Sequence, residues 1–597
     1  MTPATPNQPA IDPITFEVLR NAFDAISDEM AYTVVRSARS TMIKDCMDFA
    51  AALCSADGDL IAQAVTIPLM MCAIPDALRA ILRKFGDDIA PGDCIILSDP
   101  YEGGSHLPDI FMFTPVFVDE RLIAFSATCA HHADVGGMTP GSGSSDATEI
   151  FQEGIRIPVV KLYDAGHLNQ PLIETLERNV RFPSMYRGDL EAQRAACLSG
   201  EREFLNLVRR YGADTLTGGI EALLDYAERL CRREIEDFPD GTFEFTDFID
   251  EDGLDPDPIP IHLQLTIEGD RVSADFSDSA PQVRGSLNCS LSFTKACVFT
   301  AIKCFCRGDI PSNSGFFRPI EVIAPEGTVL NVAFPGATFM RGLTGYRVNN
   351  VLFGALAQAM PDRAIAADEG GTTIVAMDGY DTDGERFLYM ETISGAWGGR
   401  ANLDGIDCAS NVTGLQSNTP VEVLETEYPI EIVQYGFVPD TGGAGRTRGG
   451  LGLVREYRYL ADAGSLQIRA DRVRFAPYGL FGGEPGGKSK NQMIAAGKNV
   501  TLAAKVKKVP LAKGDTVRHE LAGGGGYGWS FERDPELVLE DVLNDKVSLV
   551  AARKEYGVVL DTDPLAVDEA RTAKAQDKLR RAVDPSRPPV AIRESTK

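Results

Sequence analysis

The chain has 597 residues, 44% of them hydrophobic and 24% charged, with a formal net charge of −28. That length exceeds one hydrophobic core and implies about two to four domains, while the charge excludes partners recognised through a phosphate backbone or an anionic lipid surface. No run reaches the roughly 20 apolar residues of a membrane helix, and Met1-Thr2-Pro3-Ala4-Thr5-Pro6 has neither the basic nor the apolar stretch of a signal peptide, so the chain reads as cytoplasmic.

In chain order, a proline-rich start, read as disordered, gives way to Asp12-Pro13, an N-cap followed by a first-turn proline. Phe16, Leu19, Phe23, Ile26 and Met30 then recur at spacings of three and four, the stripe of an amphipathic helix facing a core. Residues 48–65 predict two strands about an Asp57-Gly58 turn, and 74–85 a second helix. Buried strands at 94–97 and 111–117 bracket a loop that carries His106. Residues 172–236 are rich in Glu, Arg, Leu and Ala and read as helical. At Phe243 the period becomes two, and 243–248, 261–267 and 272–276 form a three-stranded meander, which places a boundary near residue 240. From there to about 528, strands alternate with glycine-rich turns around one helix at 349–360. The tail from Pro535 is helical and charged, and its last dozen or so residues read as loose. The expected fold is mixed α/β (α+β) and multidomain: an α/β region over 1–240, a β-rich region over 241–530 and a helical tail over 531–597.

Three of the six histidines fall between His106 and His132, in the strings Gly103-Gly104-Ser105-His106-Leu107-Pro108-Asp109 and Ala130-His131-His132-Ala133-Asp134-Val135-Gly136-Gly137. Imidazoles and carboxylates on glycine-permitted turns are what a divalent metal takes. His106 and Asp109 are three apart across a proline and can converge. His131-His132 follows a strand-like run, so the two side chains diverge and only one of them faces a site. The twelve cysteines contain no C-x-x-C and read as buried reduced thiols, with metal or redox work as the alternative and the C-x-C of Cys304 and Cys306 as a weak metal signal. The glycine stretches at 442–452 and 523–528 are read as tight turns. Neither has the Gly-Lys-Ser/Thr ending of a phosphate loop, so no ATP site is expected on this chain.

The order of longer motifs resembles the B-type subunit of the hydantoinase/oxoprolinase family, nearly end to end. The segments are Asp12-Pro13-Ile14-Thr15, Asp48-Phe49, Asp99-Pro100-Tyr101 through Asp109, and 131–137. Glu149-Ile150-Phe151-Gln152-Glu153-Gly154, Arg187-Gly188-Asp189-Leu190, 442–452, Gly479-Leu480-Phe481-Gly482-Gly483 and 523–528 follow. That family includes 5-oxoprolinase, N-methylhydantoinase, caprolactamase and the acetone and acetophenone carboxylases. The resemblance implies an A-type ATPase partner of the actin-like class that holds ATP and Mg, in a heterotetramer or larger assembly. It implies metal ligands at Asp48, His106, Asp109 and His131, with His132 and Asp134 orienting them. Zinc is the first choice, with manganese or iron behind it. Glu149 and Glu153 become acid/base candidates through their closeness in sequence.

The implied reaction is ATP-dependent opening of a lactam, hydantoin or oxoproline ring. Carboxylation of a ketone with bicarbonate is the alternative, and a non-catalytic scaffold for the ATPase the third reading. Relatives often carry a histidine after an Ile-Pro, where this chain has Ile67-Pro68-Leu69-Met70-Met71-Cys72. Pliable apolar side chains there favour a caprolactam-like lactam or an aryl ketone.

Overall fold

The computed structural model describes residues 11–370 and 373–583; the start read as disordered and the end read as loose lie outside the described residues. Asp12 caps the first helix, α1 (Pro13–Ser37), its Oδ1 accepting the N–H groups of Ile14 and Thr15 at 3.1 and 3.0 Å. The predicted stripe is the buried one: Leu19, Phe23, Ile26 and Met30 face inward, and Phe23 stacks on Phe204 at 5.8 Å. A short α2 (Thr41–Lys44) leads into β1 (Phe49–Ser55) and β2 (Leu60–Gln63), then α3 (Pro68–Met71) and α4 (Ile74–Phe85). The first sheet is completed by β3 (Cys94–Leu97), β4 (Asp109–Val118), β5 (Arg121–His131), β6 (Val160–Asp164) and β7 (His167–Leu168), in the order β2-β1-β5-β4-β3-β6-β7. Three helices follow, α5 (Gln170–Asn179), α6 (Pro183–Tyr211) and α7 (Ala213–Glu236).

This sheet is covered on both faces. Ala50, Ala52 and Phe125 pack with α4 residues on one side, while Phe49, Ala51 and Leu53 pack with α1 and α6 on the other. Every residue of β1 is therefore buried, which accounts for its unbroken run of small apolar residues.

The meander is β8 (Gly241–Ile249), β9 (Ile259–Glu268) and β10 (Arg271–Asp275), and β11 (Ile320–Ile323) adds to it in parallel. Between them lie α8 (Leu291–Lys303) and α9 (Ser314–Phe317), and α10 (Arg341–Ala359) comes next. The helix expected at 349–360 thus begins earlier, and α8 has no forecast. Both are buried around most of their circumference, so neither carries an apolar stripe against a polar face. The largest core continues from Ala50 and Ala52 of β1 to Val351 and Leu352 of α10, across residue 240.

Two further sheets enclose a common core that includes Val375, Tyr389, Tyr457, Leu466 and Val517. One has the order β13-β12-β16-β19, from β12 (Thr373–Tyr380), β13 (Arg386–Ile393), β16 (Ala463–Arg469) and β19 (Lys505–Ala512). The other, β14-β15-β20-β17-β18, is built from β14 (Ile430–Phe437), β15 (Leu453–Tyr459), β17 (Lys490–Ala495), β18 (Lys498–Leu502) and β20 (Thr516–Glu520). A short α11 (Val421–Glu427) precedes β14. The tail consists of α12 (Pro535–Leu543), α13 (Leu549–Glu555), the hairpin β21–β22 (Leu560–Thr562 and Leu565–Val567) and α14 (Glu569–Arg581). The whole is a multidomain α+β fold.

The glycine stretches are more than turns: they pack backbone against backbone. Gly443 N–H donates to Gly524 O at 2.8 Å, Gly524 N–H to Gly450 O at 2.9 Å and Gly525 N–H to Ala367 O at 2.8 Å. A Cβ on Gly449 would lie 1.9 Å from Gly524 O, and one on Gly524 would lie 2.0 Å from Trp397 O. One string, Gly482-Gly483-Glu484-Pro485-Gly486-Gly487-Lys488-Ser489, does have phosphate-loop spacing. It enters strand β17 instead of a helix, and the N–H groups of Gly483, Gly486 and Gly487 donate to Leu480 O, Pro477 O and Thr441 O. Donors already committed to carbonyls cannot cradle a phosphate. A single added methyl should be intolerable in this packing. Gly524→Ala is expected to cost on the order of 3 kcal/mol or more, read as a lowered denaturation midpoint or as insoluble protein. A midpoint within error of the parent would refute the close-packing account.

Candidate metal centre

Strand pairing builds the centre. Asp109 opens β4 and His131 closes β5, and the two are direct partners in the antiparallel register. Phe49 of β1 pairs with Ala130, and the next step places Asp48 beside His131, whose N–H donates to Asp48 O at 3.0 Å. Paired residues share a face of the sheet, so Asp48, His131 and Asp109 form one row across three adjacent strands. His106 joins from the turn before β4, where Asp109 N–H closes back onto His106 O at 3.1 Å. Gly103 lets that loop lie on α4. Its φ is 105°, and a Cβ there would be 2.6 Å from Asp76 O.

His106, Asp109 and His131 are fully buried, and one ligand atom from each lies within 4.8 Å of the others. The His106 and His131 ring centroids are 5.1 Å apart. Both imidazoles, with Asp48, line a cavity of about 40 Å³. Its apolar wall includes Leu69, Met70, Phe293 and Phe339, and two guanidiniums, Arg341 and Arg469, complete it.

The hydrogen bonding asks for a cation. His106 Nδ1 lies 3.3 Å from Phe339 O, and its Nε2 lies 3.1 Å from Asp109 Oδ1. Burial and then Arg341 pull His106 down to about 4, so the ring is neutral at pH 7 and carries one N–H. Burial pushes Asp109 up, but Arg341 and His106 outweigh it and hold the carboxyl far below its usual range. One neutral ring cannot donate to both a carbonyl and a carboxylate. Either tautomer leaves one facing pair of acceptors; when Nδ1–H goes to Phe339 O, that pair is Nε2 and Asp109 Oδ1, which a metal between them would resolve. His131, brought to about 3 by burial and by His106, leaves Nδ1 buried with no hydrogen-bond partner among the described residues. Burial and the charge of Asp109 raise Asp48 to about 8. The donors of His106, Asp109 and His131 fit a divalent cation, and Asp48 lines the cavity beside the two imidazoles.

The other expected residues sit elsewhere. His132 points to the opposite face, with Nε2 3.0 Å from Gln193 Oε1 and its ring against Tyr186. Asp134 ties a loop together by accepting the N–H groups of Gly136, Gly141 and Arg181, and it pairs with the Arg181 guanidinium at 3.0 Å. Neither touches a ligand side chain through any of these bonds. Glu149 is exposed at the head of the 3₁₀ turn Ile150–Gln152. Glu153 is buried, and its carboxylate accepts the N–H groups of Thr338 and Phe339 at 3.0 and 2.8 Å. Burial raises it to about 7 despite those bonds. Neither glutamate lines the cavity.

What orients the candidate ligands is a set with no signal in local spacing. Ser105 and Arg341 both donate to Asp109 Oδ2, and Phe339 O fixes the His106 ring. Arg341 also stacks over Phe293 at 4.4 Å. Of the pliable segment, Leu69 and Met70 reach the cavity; the Met71 side chain lies outside the described residues.

Two outcomes follow for the metal-free chain. Unfolded histidine titrates near 6.5, so acid favours the unfolded state of a chain that keeps His106 neutral down to about 4. Stability present above pH 6.5 should fall as pH drops toward 4, by on the order of 3 kcal/mol from this residue. Melting curves of the parent and of His106→Gln across that range check it. His131 adds to the loss while Asp48 and Glu153 oppose it, so the difference between the two proteins isolates His106, and a difference that does not change with pH would contradict it. At pH 7 the one group left to deprotonate is Asp48. Metal uptake followed calorimetrically in buffers of different ionisation enthalpy should release about one proton, and close to none in Asp48→Asn. Equal release in both would remove Asp48 from the ligand set.

The family model for hydantoinase B/oxoprolinase matches residues 12–530. An uncharacterized protein of Methanocaldococcus jannaschii is 37% identical over 94% of this chain and 99% of its own length. The caprolactamase subunit beta of Pseudomonas jessenii is 31% identical over 94% of this chain and 98% of its own. The crystal structure of the ATP-dependent caprolactamase from Pseudomonas jessenii superposes with a TM-score of 0.89 at 30% identity, covering 95% of this chain and all of that one.

Proposed function

Because the chain belongs to the hydantoinase B/oxoprolinase family, we propose that it is the metal-bearing B-type subunit of an ATP-dependent hydrolase that opens cyclic amides. In this reading it works in the cytoplasm with an A-type ATPase subunit, in a heterotetramer or larger assembly. The observation that supports it is the buried group of His106, Asp109 and His131, with Asp48 lining the same cavity as the two imidazoles.

ATP and Mg are assigned to the partner, which phosphorylates the carbonyl oxygen of the ring amide. Water then adds to that carbon, the C–N bond breaks with a proton delivered to nitrogen, and the resulting acyl phosphate loses phosphate to a second water. A divalent metal, zinc before manganese or iron, would supply Lewis-acid polarisation here. His106, Asp109 and His131 would hold it, with Asp48 as the fourth ligand, while Phe339 O keeps the His106 ring in place. Glu153 acts through its hold on Thr338 and Phe339, not by touching substrate. Leu69, Met70, Phe293 and Phe339 keep water out and suit a ring with a hydrocarbon face, so a lactam fits better than a hydantoin.

The test supplies the two-subunit complex with ATP, labelled bicarbonate and a panel of lactams, imides and ketones. Ring opening without retained label is expected. Label retained in an acid product would replace hydrolysis by ketone carboxylation. His106→Ala and Asp48→Ala should lose the metal and about a thousandfold or more of turnover. Unchanged metal content and turnover in an intact complex would leave a scaffold.

A further inference from the structure

Among the described residues, every buried arginine but one is paired with a carboxylate. Arg347 and Arg472 lie 3.3 and 3.1 Å from Asp247, Arg455 lies 2.6 Å from Glu391, and Arg533 lies 2.7 Å from Asp404. Such pairing offsets the cost of taking a guanidinium out of water. Arg469, at the end of β16, is 1% exposed and has no carboxylate within ion-pair distance among the described residues. Its Nη2 donates to Gly143 O and to Gln467 Oε1, the latter at 3.3 Å. Its Nη1 is buried with no acceptor, whereas those four paired arginines leave only Nε without one. Burial, offset only in part by Glu153, pulls Arg469 down to about 10, whereas at Arg347 Asp247 and Asp471 outweigh burial and the shift is upward.

This unpaired cation belongs to the metal cavity. It lines the same wall as His106 and His131, and its guanidinium stacks 4.5 Å over Phe339, the ring that also borders both histidines. Phe339 can occupy that place because residue 143 is glycine; a Cβ there would lie 1.9 Å from the ring. A neutral ring amide gives this cation nothing ionic to bind, but a phosphoryl dianion does.

We propose that Arg469 is the phosphoryl-binding residue of this site, its free Nη1 donating to an oxygen of the phosphoryl group carried by the activated substrate. The assignment rests on the reading of the chain as the hydrolytic half of an ATP-dependent pair. It gives the cavity a polarity, with the phosphoryl group toward β16 and the amide carbon toward the histidines.

The probe is inorganic phosphate, titrated calorimetrically into the full-length chain, metal-loaded and chelator-stripped, with acetate as the competing carboxylate. Arg469→Gln should weaken phosphate binding about tenfold or more in both forms, and Arg469→Lys, which keeps the charge without the planar donor array, by less. Metal content should stay unchanged in both variants. If Arg469→Gln does not fold, Arg469→Lys carries the decision: phosphate affinity equal to the parent's overturns the assignment. So does acetate binding in place of phosphate, which would make the anion a substrate carboxylate. Phosphate held through Arg469 in a complex that opens no cyclic amide would sink the functional reading and leave this assignment standing. Turnover with phosphate binding indifferent to Arg469 would do the reverse.

Discussion

The register between β1, β5 and β4 is the constraint on which the site depends. Because Asp109 pairs with His131 and Phe49 with Ala130, three ligand candidates from distant parts of the chain stand in one row on one face of a sheet. A shift of one residue would turn the row to the opposite face. The sheet resists that shift because both of its faces are buried against different helices. Side-chain parity also separates His131 from His132. One enters the cavity; the other hydrogen-bonds Gln193 behind the sheet.

The second half of the cavity comes from beyond residue 240. The loop before α10 brings Phe339 and Arg341, and β16 brings Arg469. Glu153 clamps the first of these to the N-terminal region through the backbone of Thr338 and Phe339. The centre is thus built where the first sheet meets the later elements, with a continuous apolar core beneath it. Charge is concentrated along this seam, and nearly all of it is matched. Asp109 is met by Arg341, and the mismatch that remains lies between His106 Nε2 and Asp109 and at Arg469.

Elements with a clear period were legible from residues alone. The stripe of α1, the helix at 74–85, the strand at 94–97 and the meander all have one polar and one apolar direction, or short runs bounded by turn residues. Of the central helices, α8 left no such trace and α10 showed only over its second half. Arg347, Asn349 and Asn350 are buried beside Val348, Val351 and Leu352, so α10 has no polar face to set against an apolar one. The glycine stretches were read as turns and proved to be a close-packed backbone layer. A glycine states that a side chain is not tolerated, but not whether the obstacle is a turn or another chain segment.

Sequence by itself determined the metal-competent residue types, their glycine-bounded loops and the family motifs in order. These are properties of short segments and of composition, and they survive without knowledge of contacts. The tertiary structure alone decided which side chains meet. It set Asp48 beside His131, turned His132 away, placed Glu149 at the surface and Glu153 under a loop, and brought Arg341 and Arg469 into the wall. The reason is physical. Strand order and register are settled by burying both faces of a sheet at once, and that is a property of the whole chain, invisible in any one segment.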